Sequence, residues 1–131
     1  MSPAQTQPLP TALAGARVLV VEDEPFIAFD LVMAIEDAGG QAIGPASTVQ
    51  DALDLIAGML PDGAILDVNL PDGNIGPVLE ALRWMTGIVV HTGVGLPPDL
   101  RAAYPNIPVF TKPTAPGTLM NRLAGSITRR S

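Results

Sequence analysis

The sequence contains no cysteine and only one histidine, His91. The first absence excludes disulfides, thiolate nucleophiles and zinc-thiolate sites. The second excludes a His-rich metal site and any chemistry that needs two imidazoles. Charged residues make up 15% of the 131 positions, below the ~25% of an average domain. Basic groups are the scarcer sign, with seven Lys and Arg against thirteen Asp and Glu and a net charge of -6. Neutralising phosphates needs the opposite balance, so direct nucleic-acid binding is not expected. No apolar run reaches the ~18 residues of a membrane span. No basic stretch precedes an apolar core at the N-terminus. These absences lead us to expect a cytoplasmic protein without membrane contact. What is present is an ordinary apolar share, 47%, in a chain of one-domain size.

Residues 1–16 are rich in Pro, Gln, Ala and Thr and carry no charged side chain before Arg17, so they are expected to form a flexible tail. The domain is expected over 17–131. From Arg17 onward, short apolar runs alternate with amphipathic stretches. Val18-Leu19-Val20-Val21 reads as a strand buried on both faces, and Pro25 suits the first turn of the helix after it. Ile27, Leu31, Ala34, Ile35 and Ala38 form one helical stripe, which Gly39-Gly40 ends. Gln41 to Ala46 reads as a weaker strand. Ser47 and Gln50 have capping-box spacing, ahead of a stripe of Val49, Leu53, Ile56 and Leu60. Further strands are expected at Ala64-Leu66, Ile88-Val90 and Ile107-Phe110. Val78, Leu79 and Leu82 mark a third helix. A loop and a short helix are expected between Leu96 and Tyr104. Leu119, Leu123 and Ile127 mark the last helix, with Thr114 as a candidate cap. Five β-α repeats imply a parallel sheet with helices on both faces.

Sheets of this kind bind ligands outside the carboxyl ends of their strands. The residues just past those ends are Glu22 and Asp23, Asp67, Thr92 and Lys112. Three acids, one hydroxyl and one ammonium are thus expected at one edge. Crowded carboxylates need a cation to stay ionised together, and an oxygen-only ligand set favours magnesium. Phosphoryl transfer is mostly positioning plus charge stabilisation, and one carboxylate can act as nucleophile to form an acyl phosphate.

Four segments carry a family resemblance: Val18 to Pro25, Ile65 to Gly73, Thr92-Gly93 and Thr111-Lys112-Pro113. In this order, at successive strand ends, they resemble the receiver domain of two-component response regulators, the CheY-like family. The resemblance implies a flavodoxin-like (βα)5 doubly wound sandwich with a five-stranded parallel sheet in the order 2-1-3-4-5. It implies that Asp67 is the phosphoacceptor. Magnesium would be held by Glu22, Asp23, Asp67 and the backbone carbonyl of Asn69. Thr92 resembles the switch hydroxyl and Lys112 the lysine that meets the phosphoryl group. A cis bond at Lys112-Pro113 is implied as well, X-Pro being the bond type where cis is cheap. The implied partner is a sensor histidine kinase or a histidine phosphotransfer protein, and the output a changed protein contact. Many receivers carry Tyr or Phe three residues before the lysine, where this chain has Val109. That substitution, Thr92-Gly93 and the stretch Ile107 to Pro113 together resemble an alphaproteobacterial subgroup that includes single-domain regulators and has a Phe-Ala-Thr-Gly-type motif at strand four, of which Val90-His91-Thr92-Gly93 matches the Thr-Gly half.

Two other readings compete. A magnesium-dependent aspartyl phosphatase needs a general acid two residues after its nucleophile, where this chain has Asn69. An unphosphorylated receiver-like interaction module predicts loss of an acid or of the lysine, and none is lost. Not an enzyme in its own right but a phosphoacceptor is the reading the residues favour.

Overall fold

Val18 to Val21 are apolar at every position because both faces of their strand are covered. In the computed structural model, which describes residues 8–127, Leu19 and Val21 enter one apolar layer while Val18 and Val20 enter the other. The same alternation sends Ala64 and Leu66 one way and Ile65 the other. Ile88 and Val90 likewise oppose Val89. Successive strand side chains point to opposite faces, so a sheet buried on both sides reads as unbroken apolar runs.

The element order is β1 (Arg17–Val21), α1 (Pro25–Asp37), β2 (Gln41–Ala46), α2 (Val49–Gly58), β3 (Gly63–Leu66), β4 (Asn69–Leu70), β5 (Gly73–Asn74), α3 (Gly76–Ala81), β6 (Ile88–Thr92), α4 (Pro98–Ala103), β7 (Val109–Thr111) and α5 (Pro116–Ser126). Five strands form one parallel sheet in the order β2-β1-β3-β6-β7. With β6 and β7 as its fourth and fifth strands, this is the expected 2-1-3-4-5 order. Helices α1 and α5 pack together over one face, with Leu31, Ile35, Leu119 and Leu123 fully buried. Helices α2, α3 and α4 cover the other through Val49, Ile56, Leu79 and Leu100. Each such side chain contributes about 1.5–3 kcal/mol on leaving water. The chain leaves β1 for β2 on one side and returns to β3 on the other, so the switch point lies between β1 and β3.

Several local expectations are corrected. Residues 9–16 are not a loose tail. Their turns bury Leu13 completely, and the Leu13 N–H donates to the Ala38 carbonyl at 2.8 Å. Gly39, at φ +87°, ends α1 where a Cβ would come within 2.9 Å of the Pro10 carbonyl oxygen. Residues 1–7 of the expected tail, and 128–131 of the expected domain, lie outside the described residues. The cap of α2 is Thr48, whose hydroxyl accepts from the Asp51 N–H at 3.0 Å, and not Ser47. Leu60 lies beyond α2 and is 59% exposed. Thr114 caps nothing: its hydroxyl donates to the Thr111 carbonyl, and α5 begins at Pro116. Asn69–Leu70 and Gly73–Asn74, where the sequence predicts no strand, form a small antiparallel hairpin pairing Asn69 with Asn74.

Candidate functional site at the strand carboxyl ends

The backbone ladder continues past three strand ends and thereby fixes three site residues. The Glu22 N–H donates to the Ala46 carbonyl at 2.9 Å, the Asp67 N–H to Val21 at 2.9 Å, and the Lys112 N–H to Thr92 at 2.8 Å. Their side chains meet. The Lys112 ammonium lies 3.0 Å from Asp67 Oδ2, 2.9 Å from Glu22 Oε1 and 3.2 Å from Glu22 Oε2. Glu22 and Asp67 are buried, while Asp23 is exposed. One carboxylate oxygen from each of Glu22, Asp23 and Asp67 can be chosen so that all three lie within 4.8 Å of one another. Three converging carboxylates and no imidazole or thiolate fit a hard divalent cation such as magnesium. Asp67 Oδ1 also accepts from the Val68 N–H at 2.7 Å.

Burial raises the Glu22 pKa above its ordinary value. The Lys112 and Glu24 hydrogen bonds oppose that shift, and the nearby Asp67 charge adds to it. Burial alone would lower the Lys112 pKa, but its hydrogen bonds to Glu22 and Asp67 outweigh it and raise the value. The lysine therefore stays charged and holds two carboxylates that would otherwise repel.

The other expected residues sit around this cluster. Thr92 ends β6, is buried, and its hydroxyl accepts from the Val94 N–H at 3.2 Å. Asn69 lies in β4 with its side chain exposed. The Lys112–Pro113 peptide is cis. Val109 packs towards the α3 side and Phe110 towards α1 and α5. The ring at 110 therefore faces away from the position an aromatic at 109 would hold.

Two residues have surroundings that the sequence does not foretell. Asp72 stands in the hairpin turn, yet its carboxylate accepts from the N–H groups of Val49 and Gln50 at the start of α2. A turn Asp-Gly gives no sign of so distant a partner. His91 is buried beside the cluster, and neither ring nitrogen has a hydrogen-bond partner among the described residues. Burial, and then the Lys112 charge, hold its pKa below the ordinary imidazole value, against the pull of Asp67.

No family model matches the chain. Over 63 residues, 47% of the chain, it is 40% identical to the phyllosphere-induced regulator PhyR of Methylorubrum extorquens, a match covering 24% of that protein. Over 83 residues, 62% of the chain, it is 38% identical to the transcriptional regulatory protein PdtaR of Mycobacterium tuberculosis, covering 40% of it. The matches thus span less than half the length of these curated relatives. Among solved structures, the response regulator PhyR from Brucella abortus superposes with a TM-score of 0.70 at 28% identity, over 93% of this chain and 49% of that one. The non-phosphorylated HemR receiver domain from Leptospira biflexa gives 0.71 at 25% identity, over 88% of this chain and 98% of that one. In sequence the chain resembles response regulators, and its fold is the one their CheY-like receiver domains have.

Proposed function

We propose that the chain is the phosphoacceptor of a two-component phosphorelay, modified on Asp67 by a histidine kinase or a histidine phosphotransfer protein, and that it signals through altered protein contacts. The observation that carries this reading is the Lys112 ammonium bridging Asp67 and Glu22 beside a third carboxylate, Asp23. Asp67 is the nucleophile. Its carboxylate oxygen attacks the phosphorus of a phosphohistidine, a P–O bond forms, the P–N bond breaks, and the imidazole leaves. Lys112 turns from bridging two carboxylates to neutralising the phosphoryl oxygens. Glu22, Asp23, Asp67 and the Asn69 carbonyl would hold magnesium, which when bound screens the charge shared by the carboxylates and the phosphoryl group. The buried Thr92 hydroxyl, at the end of β6, is the switch group that answers the new oxygens.

Intact-mass measurement after incubation with acetyl phosphate and magnesium tests this. One added phosphoryl group is expected on the unmodified protein and none on Asp67→Asn. An adduct of equal yield on the variant would place the acceptor elsewhere. No adduct on either would leave an unphosphorylated interaction module.

A further inference from the structure

Asp72 has no place in the reaction above, yet it stands three residues from Asn69, whose carbonyl is the one backbone ligand in the proposed magnesium set. The path between them is short and stiff. Asn69 pairs with Asn74 and Leu70 with Gly73. Leu70 is buried in the apolar layer that holds α2 and α3. Pro71 fixes its own φ, and Gly73, at φ +145°, turns the chain where a side chain would be strained. A displacement of Asp72 is therefore passed on to Asn69 and is not absorbed between them.

Asp72 is itself held from outside the hairpin. Its Oδ1 accepts from the Val49 N–H at 2.8 Å and its Oδ2 from the Gln50 N–H at 3.0 Å. Both are first-turn donors of α2 and have no partner within the helix. The two bonds fix the turn of the hairpin to a helix of ten residues whose Val49, Ala52 and Ile56 are buried. Thr48 caps the same helix through the Asp51 N–H and makes no such link to the hairpin.

We infer, on the reading of the carboxylate cluster as a magnesium site, that Asp72 is a positioning residue for it. By tying the hairpin turn to α2, Asp72 sets where the Asn69 carbonyl stands relative to Glu22, Asp23 and Asp67. Coupling between two equilibria is reciprocal. Magnesium at the cluster therefore tightens the hold of Asp72 on α2, as that hold favours the metal.

Two measurements on the full chain test the two directions. In calorimetric titration with magnesium, Asp72→Ala should bind about fivefold more weakly than the wild type, the low end of couplings between linked sites. Asp72→Asn keeps one acceptor without the charge and should lose less. Thr48→Ala removes the other cap of α2 and leaves the hairpin alone, so it should destabilise the protein and keep the wild-type affinity. Amide exchange reads the reverse direction. Saturating magnesium should slow exchange at Val49 and Gln50 by a similar factor in the wild type, because no bond within the helix protects them, and should leave it unchanged in Asp72→Ala. If Asp72→Ala does not fold, Asp72→Asn and the wild-type exchange decide the matter. Equal affinity of the wild type and the Asp72 variants, an equal loss in Thr48→Ala, or unchanged wild-type exchange at Val49 and Gln50 would overturn the inference and leave the metal site standing. No magnesium binding by the wild type would overturn the reading of the site itself, and the inference with it.

Discussion

The Asp72 carboxylate closes the N-terminus of α2 from a hairpin 23 residues further along the chain, its Oδ1 2.8 Å from the Val49 N–H and its Oδ2 3.0 Å from that of Gln50. The first N–H groups of a helix have no partner within it. Thr48 serves Asp51, and Asp72 serves the two residues before that. The link reaches the site, because Asp72 follows Asn69 by three residues in the segment leaving Asp67.

Asp72→Ala should therefore lower the unfolding temperature, and the loss should depend on pH. The two N–H groups hold the Asp72 pKa below its ordinary value of 3.8. Its contribution is then present above 3.8 and is lost as pH falls through the lower folded value. Thermal scans across pH should show a constant gap between wild type and variant near neutrality that narrows only in acid. A gap that narrows as pH rises would refute the charged cap.

Glu22→Gln should separate stability from metal binding. Glu22 is buried and its folded pKa is raised. The stability linked to its proton is present below the ordinary value of 4.5 and is lost as pH rises through the folded value. At neutral pH without metal, the glutamine variant should be at least as stable as wild type. Its magnesium affinity should fall by roughly 10-fold or more. Calorimetric magnesium titration checks the second outcome, and equal affinity would remove Glu22 from the metal site.

Lys112→Met leaves Glu22 and Asp67 facing each other without their cation. The expected loss is roughly 1–3 kcal/mol, below that for a fully buried pair because the lysine keeps contact with solvent. Magnesium should restore much of it by supplying positive charge to the same oxygens. Denaturant unfolding with and without magnesium measures both. A variant as stable as wild type in the absence of metal would show that the bridge contributes nothing.

Glu22 and Asp67 are legible in the sequence because each directly follows a short apolar run, and Lys112 because it follows one after Thr111; a parallel sheet brings the ends of such runs to one edge. The strand order needs the resemblance, since alternation alone says that the sheet is parallel and not which strands adjoin. Asp72 is illegible because Asp-Gly in a turn looks the same whether or not a helix lies within reach. Ser47 and Thr48 are both competent caps, and only the path of the backbone into Asp51 decides between them. His91 can be placed on its face by counting along β6. Its lack of a partner depends on what α1 and the loop at 112–116 bring near it.

Leu13 was hidden for a related reason. Two leucines among Pro, Ala and Thr, Leu9 and Leu13, are too few to set a period, yet Leu13 is fully buried against α1 and Gly40 while Leu9 is exposed. Leu13→Ala should destabilise by about 2–4 kcal/mol, readable as a shift in the denaturant midpoint. A change of a few tenths would return residues 9–16 to the status of a loose tail.

The conformational response to phosphorylation is the last prediction, and it rests on the opposed faces of Val109 and Phe110. With Val at 109, no ring can move into space left by Thr92, and a β-branched side chain is stiff at χ1. Phe110 lies on the far side of the sheet from Val109. The phosphoryl group can still draw on Thr92 and Lys112, which are joined through the Lys112 N–H and the Thr92 carbonyl. The segment after Thr92 is lightly held. Val94 is 74% exposed, α4 has only six residues, and Leu96 and Leu100 are its buried anchors. Segments with few buried contacts open most readily. Activation should therefore order residues 93–104. Hydrogen exchange with and without beryllofluoride should show protection rising across that segment and little change at Phe110. Protection confined to Phe110 and the start of α5 would instead make that ring the moving part.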